Sequence, residues 1–173
     1  MMNNNPQIIV VMGVSGSGKS TFATELATRL KAKLIDGDDL HPRVNINKMA
    51  NGIALDDTDR AQWLIRINDA IYSLQHKHES AVIVCSALKQ AYRQAIRQNN
   101  QSITVIYLAA EQALIEQRLL QRQGHFMKSS MIDSQFAALE PPHQEPLTVT
   151  VNANQNLAMM LKDALQQLSH QAS

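Results

Sequence analysis

One cysteine, Cys85, occurs in the 173 residues of this chain. That excludes an intramolecular disulfide framework and fits a reducing compartment. Charge of one sign is not in excess either: 16 Lys and Arg oppose 15 Asp and Glu, for a net charge of +1. Such a balance offers no bulk field for nucleic acid or an anionic membrane. No apolar run approaches the roughly 20 residues that cross a bilayer. The leading residues, Met1-Met2-Asn3-Asn4-Asn5-Pro6, lack the basic start and apolar middle of a secretory signal, so a cytoplasmic protein is expected. Internal repeats, low-complexity runs and an interdomain linker are missing too. What remains, 45% apolar and 18% charged, is the composition of one globular domain, expected to span residues 1–173.

Short apolar runs alternate with segments of helical spacing. Gln7–Met12, Leu34–Asp36, Ala81–Cys85, Ile103–Leu108 and Leu147–Val151 read as strands. Helices are predicted over Lys19–Lys31, His41–Ala50, Asp56 to Leu74, Lys89–Gln98, Glu111–Gln121, Ser130–Leu139 and Leu157–Leu168. Buried strands joined by helices imply an α/β fold, a mostly parallel sheet covered on both faces. Ligands of such a sheet sit beyond the carboxyl ends of its strands.

Gly13-Val14-Ser15-Gly16-Ser17-Gly18-Lys19-Ser20 follows the first strand and opens the first helix. It fits the phosphate-loop pattern G-x-x-x-x-G-K-[ST] in the context that the pattern requires. Glycines let backbone N–H groups converge on an anion, and the helix N-terminus adds partial positive charge. Lys19 would reach the β- and γ-phosphates of ATP and act in transfer, Thr21 would extend the phosphate-binding set, and the Ser20 hydroxyl would ligate Mg²⁺.

After the second strand comes Asp36-Gly37-Asp38-Asp39, read as an acidic loop near the phosphates. An alcohol that accepts a phosphoryl group must lose its proton, and a positioned aspartate takes it. That role is assigned to Asp38, with Asp36 as a Mg²⁺ ligand, direct or through water; the reverse assignment stays open. A turn with solvated acids is the plain alternative.

Basic and polar residues form two further groups. His41, Arg43, Lys48, Arg60, Lys89 and Arg93 make the first, with Ser86 after the third strand. Arg60 opposes the dipole of the helix it opens, so an anionic partner is expected, either a ligand carboxylate or a neighbouring Asp. Lys89 and Arg93 are predicted to share a helix face. Arg118, Arg122, His125 and Lys128 make the second group, around Gly124. It reads as a lid over about residues 122–130 that closes on the triphosphate and excludes water. Cations near a helix C-terminus are also favoured for the dipole alone. Cys85 reads as buried filler, and His76 and His78 lack a third metal ligand nearby.

Many phosphate-loop proteins end a later strand in a Mg²⁺-binding aspartate. Here Val82-Ile83-Val84-Cys85 leads into Ser86-Ala87-Leu88-Lys89, and no N-K-x-D guanine-reading element is present. Both absences argue against a GTPase or motor ATPase and for a small kinase. A kinase of shikimate or a nucleoside monophosphate, and a non-catalytic sensor of a sugar acid, stay open at this level.

More specific blocks accompany the phosphate loop. They include Asp36-Gly37-Asp38 with His41-Pro42, Asn45-Ile46, Lys48-Met49, Asp59-Arg60, Trp63-Leu64, Cys85-Ser86-Ala87-Leu88-Lys89, Tyr92-Arg93, Ser134-Gln135 and Leu139-Glu140-Pro141. From Ile9 to about Pro142 the chain resembles the small phosphate-loop gluconokinases, which phosphorylate D-gluconate on its 6-hydroxyl using ATP. The resemblance implies a five-stranded parallel sheet in the order 2-3-1-4-5, as in shikimate and adenylate kinases, with helices on both faces and a lid. It implies ATP and Mg²⁺ as cofactors, a homodimer, and a product that enters central carbon metabolism. The gluconate carboxylate would take Arg60, with Lys89 or Arg93 second, and the hydroxyls would take His41, Asp38 and Ser86. Arg43 and Lys48 complete the substrate-binding set, and Arg118 and Arg122 the ATP-binding one. Ala54 and Gln62 stand where prolines are usual, and Asn152 where an aspartate is common.

Overall fold

The computed structural model describes residues 5–122 and 129–171. Its strands are β1 (Ile8–Met12), β2 (Lys33–Asp36), β3 (Ala81–Val84), β4 (Thr104–Ala109) and β5 (Thr148–Asn152). Every pairing is parallel, and the sheet runs β2-β3-β1-β4-β5, the order that the resemblance implied. The helices are α1 (Lys19–Leu30), α2 (Arg43–Ala50), α3 (Asp57–His76), α4 (Gln90–Arg97), α5 (Gln112–Gln121), α6 (Ser129–Ala138) and α7 (Leu157–Gln171). No helix among the described residues is long and apolar enough to cross a membrane.

Side-chain alternation builds the layers. All five residues of β1 are buried, and successive ones face opposite sides of the sheet. Ile8, Val10 and Met12 join Ile83 and Val105 against Trp63, Leu64, Ile67 and Ile71 of α3 and Ile96 of α4. Ile9 and Val11 join Val82, Ile106 and Val149 against Phe22 and Leu26 of α1 and Met160 and Leu161 of α7. Each such buried side chain contributes about 1.5–3 kcal/mol. β2 is a short edge strand ending in charged Asp36, a composition that discourages pairing with another chain.

Two predicted boundaries moved for local reasons. α2 begins at Arg43 rather than His41, because Pro42 lacks a backbone N–H and takes the N-cap. The stretch Asp36–Asp39 is not a plain loop. Gly37–Leu40 is a 3₁₀ turn with Asp36 at its N-cap, and the Asp36 carboxylate accepts from the Asp38 N–H at 3.0 Å. At α3 the acids cap the helix start. The Asp56 carboxylate accepts from the Asp59 N–H (2.8 Å), and the Asp59 carboxylate accepts from the Asp56 N–H (3.1 Å), a reciprocal cap.

β1 and β3 are neighbours, but β1 leads into α1 on one face of the sheet and β3 into α4 on the other. The carboxyl ends of β1 and β3 therefore frame a crevice at the switch point. There the Gly13 N–H donates to the Ser86 carbonyl at 3.3 Å and ties together the loops that follow these strands.

Candidate active site

The phosphate loop is shaped by its glycines. Gly18 has φ +94°, a left-handed conformation, and forms the N-cap of α1. No side chain caps this helix and no acid occupies its first turn. Its leading N–H groups are therefore left for an anion, which the helix dipole also favours. The buried Ser17 hydroxyl donates to the Val14 carbonyl (2.7 Å) and closes the loop on itself. Lys19 Nζ donates to the Gly13 and Val14 carbonyls, both at 2.9 Å. Burial lowers its pKa to about 8, although Asp38 and Asp36 pull the other way.

The loop faces a cavity of about 470 Å³. Lys19, Ser20, Thr21, Asp36, Asp38 and Arg122 line it together. The Asp38 carboxylate is open to this cleft, with 82% of its side-chain surface accessible. It nevertheless stands in a concave wall of protein. That partial desolvation, and then the repulsion of Asp36, raises its pKa above the ordinary carboxylate range; His41 and Lys19 oppose the rise.

The acids owe their position to Gly37. A Cβ there would come within 2.5 Å of the Val84 carbonyl oxygen. Only a residue without one lets the turn lie against β3. The indole N–H of Trp63 then donates to the Gly37 carbonyl at 2.7 Å and pins it. Gly37→Ala is expected to cost about 1–3 kcal/mol through overpacking. Thermal melting should show a lowered Tm, and an unchanged Tm would refute this packing argument.

Ser20, Asp36 and Asp38 offer a hydroxyl and two carboxylates to one cavity, the oxygen donors that Mg²⁺ prefers. One oxygen of Asp36 is already taken by the Asp38 N–H. Among the described residues no group of three or more His, Cys, Asp or Glu could hold a metal. Ser20 and Asp36 fit Mg²⁺ as partial ligands, with phosphate oxygens and water completing the shell.

His41 is 5% exposed and stacks on Trp63, with ring centres 4.4 Å apart. Its Nε2 lies 4.0 Å from Asp38 Oδ1. Arg60 donates to the Leu55 carbonyl (2.7 Å), and its guanidinium carbon is 6.0 Å from the centre of the Tyr92 ring. Among the described residues no carboxylate lies within ion-pair distance of it, although its charge is one of those that hold the Asp57 carboxyl below its ordinary range. Lys48 grips both oxygens of Asp59 at 2.8 and 2.9 Å, and thus braces the α3 cap. Lys89 forms the N-cap of α4 and reaches Asp57 at 3.4 Å, which the Tyr92 hydroxyl also engages at 2.6 Å. Arg43 is exposed at the start of α2, and Ser86 is half-buried.

Arg93 does not share a face with Lys89. It is 1% exposed, and its guanidinium is engaged by the Glu145 carboxylate and the carbonyls of Ala87, Leu88 and Glu140, at 2.6–3.1 Å. Arg93 and Ile96 are the buried residues of α4, and the buried carbonyls of the β3–α4 loop need a donor there. Arg93 therefore fastens that loop to the segment after α6. Arg118 braces the phosphate loop in a comparable way, donating to the Gly16 carbonyl (3.2 Å) and the Ala153 carbonyl (2.6 Å). His125 and Lys128, assigned to a lid, lie outside the described residues.

Three residues gain roles that the motif reading left unassigned. Gln135 of α6 accepts from the Ser15 N–H (2.7 Å) and donates to the Ser15 hydroxyl (2.9 Å), clamping the phosphate loop. Asn45 contacts His41, and Glu145 neutralises Arg93 and Arg97. The resemblance blocks contained Asn45 and Gln135, but spacing alone does not pair residues 120 positions apart.

The sheet order, the loop that opens α1 and the acids at the end of β2 define a phosphate-loop kinase of the α/β class. Residues 8–142 match the AAA domain family. The thermoresistant gluconokinase of Escherichia coli (strain K12) is 47% identical over 149 residues, 86% of this chain and 85% of that protein. The gluconokinase of Gluconobacter oxydans (strain 621H) is 38% identical over 164 residues, 95% of this chain and 92% of that protein. A crystal structure of a gluconokinase from Sinorhizobium meliloti 1021 matches with a TM-score of 0.87 at 40% identity, covering 97% of this chain and 94% of that one. The chain belongs to the gluconokinase family.

Proposed function

We propose that this chain transfers the γ-phosphoryl group of ATP to the 6-hydroxyl of D-gluconate, yielding 6-phospho-D-gluconate and ADP. One observation carries the reading. Lys19, at the anion-receiving end of α1, and the carboxylate of Asp38 line the same cavity. Backbone N–H groups of the loop hold the phosphates, and Lys19 exchanges its two carbonyl partners for phosphate oxygens. Ser20, with Asp36 directly or through water, would hold Mg²⁺, which offsets phosphate charge when bound. Asp38 orients the acceptor hydroxyl and receives its proton as the oxygen attacks phosphorus. A raised pKa makes this carboxylate a stronger base than a free aspartate. Arg122 supports charge on the transferring group from the far side, and the lid with His125 and Lys128 belongs to the same reading.

Arg60 is the cation for the gluconate carboxylate, because its fork is held by one carbonyl and by no acid among the described residues. Lys89 is already tied to Asp57 and ranks second. A charge-assisted hydrogen bond contributes about 1.5–3 kcal/mol, so Arg60→Ala should raise the gluconate KM by roughly 10- to 100-fold. The ATP KM should stay the same; an equal rise in both would contradict carboxylate recognition. A homodimer and a cytoplasmic setting complete the reading. Exposed Ile46, Met49 and Ile53, on and just after α2, support a surface for a second copy.

A coupled ADP-release assay with Mg-ATP and a panel of gluconate, shikimate and nucleoside monophosphates tests the proposal. ADP formed with gluconate, and not with the others, is the expected result. Tight binding of gluconate and ATP without ADP formation would replace the kinase by a sensor.

A further inference from the structure

We propose that Asn45 is a positioning residue whose side-chain amide holds His41 in the tautomer with its hydrogen on Nε2, so that the ring faces Asp38 as a donor. The inference rests on the reading of Asp38 as the proton acceptor.

The amide orientation follows from one contact. Asn45 Nδ2 lies 2.9 Å from the carbonyl oxygen of Asp59. A carbonyl oxygen only accepts, so Asn45 must turn its NH₂ towards it. The reversed amide would set oxygen against oxygen. The same NH₂ lies 3.2 Å from His41 Nδ1. That nitrogen therefore contributes its lone pair, and a neutral imidazole then carries its hydrogen on Nε2. Asn45 is 1% exposed, and its Oδ1 is buried with no partner among the described residues.

The ring itself has little freedom. It stacks on Trp63 at an interplanar angle of 15°, and the same Trp63 pins Gly37 in the acid turn. One indole thus sets the distance between His41 and Asp38. Arg66 donates to the His41 carbonyl at 3.1 Å. Burial of the ring and the nearby Arg60 and Arg66 favour its neutral form, with Asp38 opposing them.

The chemical consequence is a division of labour. With Nδ1 bonded to Asn45 and Nε2 already protonated, His41 has no lone pair for the acceptor alcohol. The proton of the alcohol must go to Asp38. At 4.0 Å the Nε2–H lies beyond direct hydrogen-bond reach of Asp38 Oδ1, so it is free to donate to the alcohol oxygen beside that carboxylate. His41 belongs to the positioning apparatus and not to the bases.

The test begins with the unaltered full-length protein. In ¹⁵N-edited NMR, His41 should show a protonated Nε2 and a bare Nδ1. Asn45→Asp, nearly the same shape, puts a carboxylate oxygen at Nδ1 and should draw a proton onto that nitrogen. Its kcat should fall at least about tenfold, less than the roughly 10²–10⁴-fold contributed by the base itself, while the ATP KM stays the same. His41→Leu should lose at least as much. His41→Gln, which restores an N–H near the place of Nε2, should recover part of that loss. A bare Nε2 in the unaltered protein would overturn the inference, and so would an Asn45→Asp spectrum with the moved proton but an unchanged kcat. Full turnover in Asp38→Asn would instead remove the underlying base reading and leave the tautomer intact.

Discussion

Asp38→Asn should bind ATP as the parent does and turn over about 10²–10⁴-fold more slowly, the range for loss of a general base. The substitution keeps the shape of the side chain. It keeps the backbone N–H that Asp36 caps at 3.0 Å, so the turn should hold its form. What disappears is the lone pair that receives the hydroxyl proton. ATP affinity by calorimetry and kcat by the coupled assay separate the two effects. The pH profile adds a second check. A base works only when deprotonated, so kcat should decline as pH falls through the pKa of Asp38. Partial desolvation and Asp36 raise that pKa, so the decline should begin at a higher pH than a free aspartate would give. In Asp38→Asn this limb should vanish. Near-normal turnover in the variant would transfer the role to Asp36, which lines the same cavity.

Much of this arrangement was legible in the residues because it is local. The phosphate loop, its strand and its helix occupy consecutive positions, and each responds to its own periodicity. The acid turn lies within the loop that follows β2, so its place beside the phosphates followed from parallel topology. What escaped was long-range pairing. Arg93 carries a charge like that of Lys89, four residues earlier. Only the fold reveals that Glu145, 52 positions away, and three carbonyls absorb it. The Ser15–Gln135 clamp and the His41–Trp63 stack are of the same kind. Gly37 is intermediate. The sequence marks it as a turn residue, but its real constraint is contact with the Val84 carbonyl, which no local pattern records. The acidic loop became a 3₁₀ turn because Asp36 caps it, a side-chain choice that composition does not distinguish from solvation.

The other large loss is expected at Lys19→Met, with kcat lower by about 10²–10³-fold, the scale for removing one preorganised donor from developing charge. Lys19 also makes ATP affinity depend on pH. With no ligand its pKa is about 8, because burial penalises the ammonium and the nearby acids Asp38 and Asp36 compensate only in part. Phosphates add strong negative charge beside the amine, so the bound form is protonated. Below about pH 8 the ammonium already exists and binding takes up no proton. Above that value the neutral amine must acquire one. Each further pH unit then weakens ATP binding by about 1.4 kcal/mol, a tenfold rise in Kd. Calorimetry in two buffers of different ionisation heat measures that proton directly. Uptake approaching one proton per ATP is expected on the alkaline side, and its loss in Lys19→Met. An alkaline titration without proton uptake would mean that the amine is already charged in the empty loop. The acids would then outweigh its burial, and Lys19 would meet the triphosphate as a preformed cation.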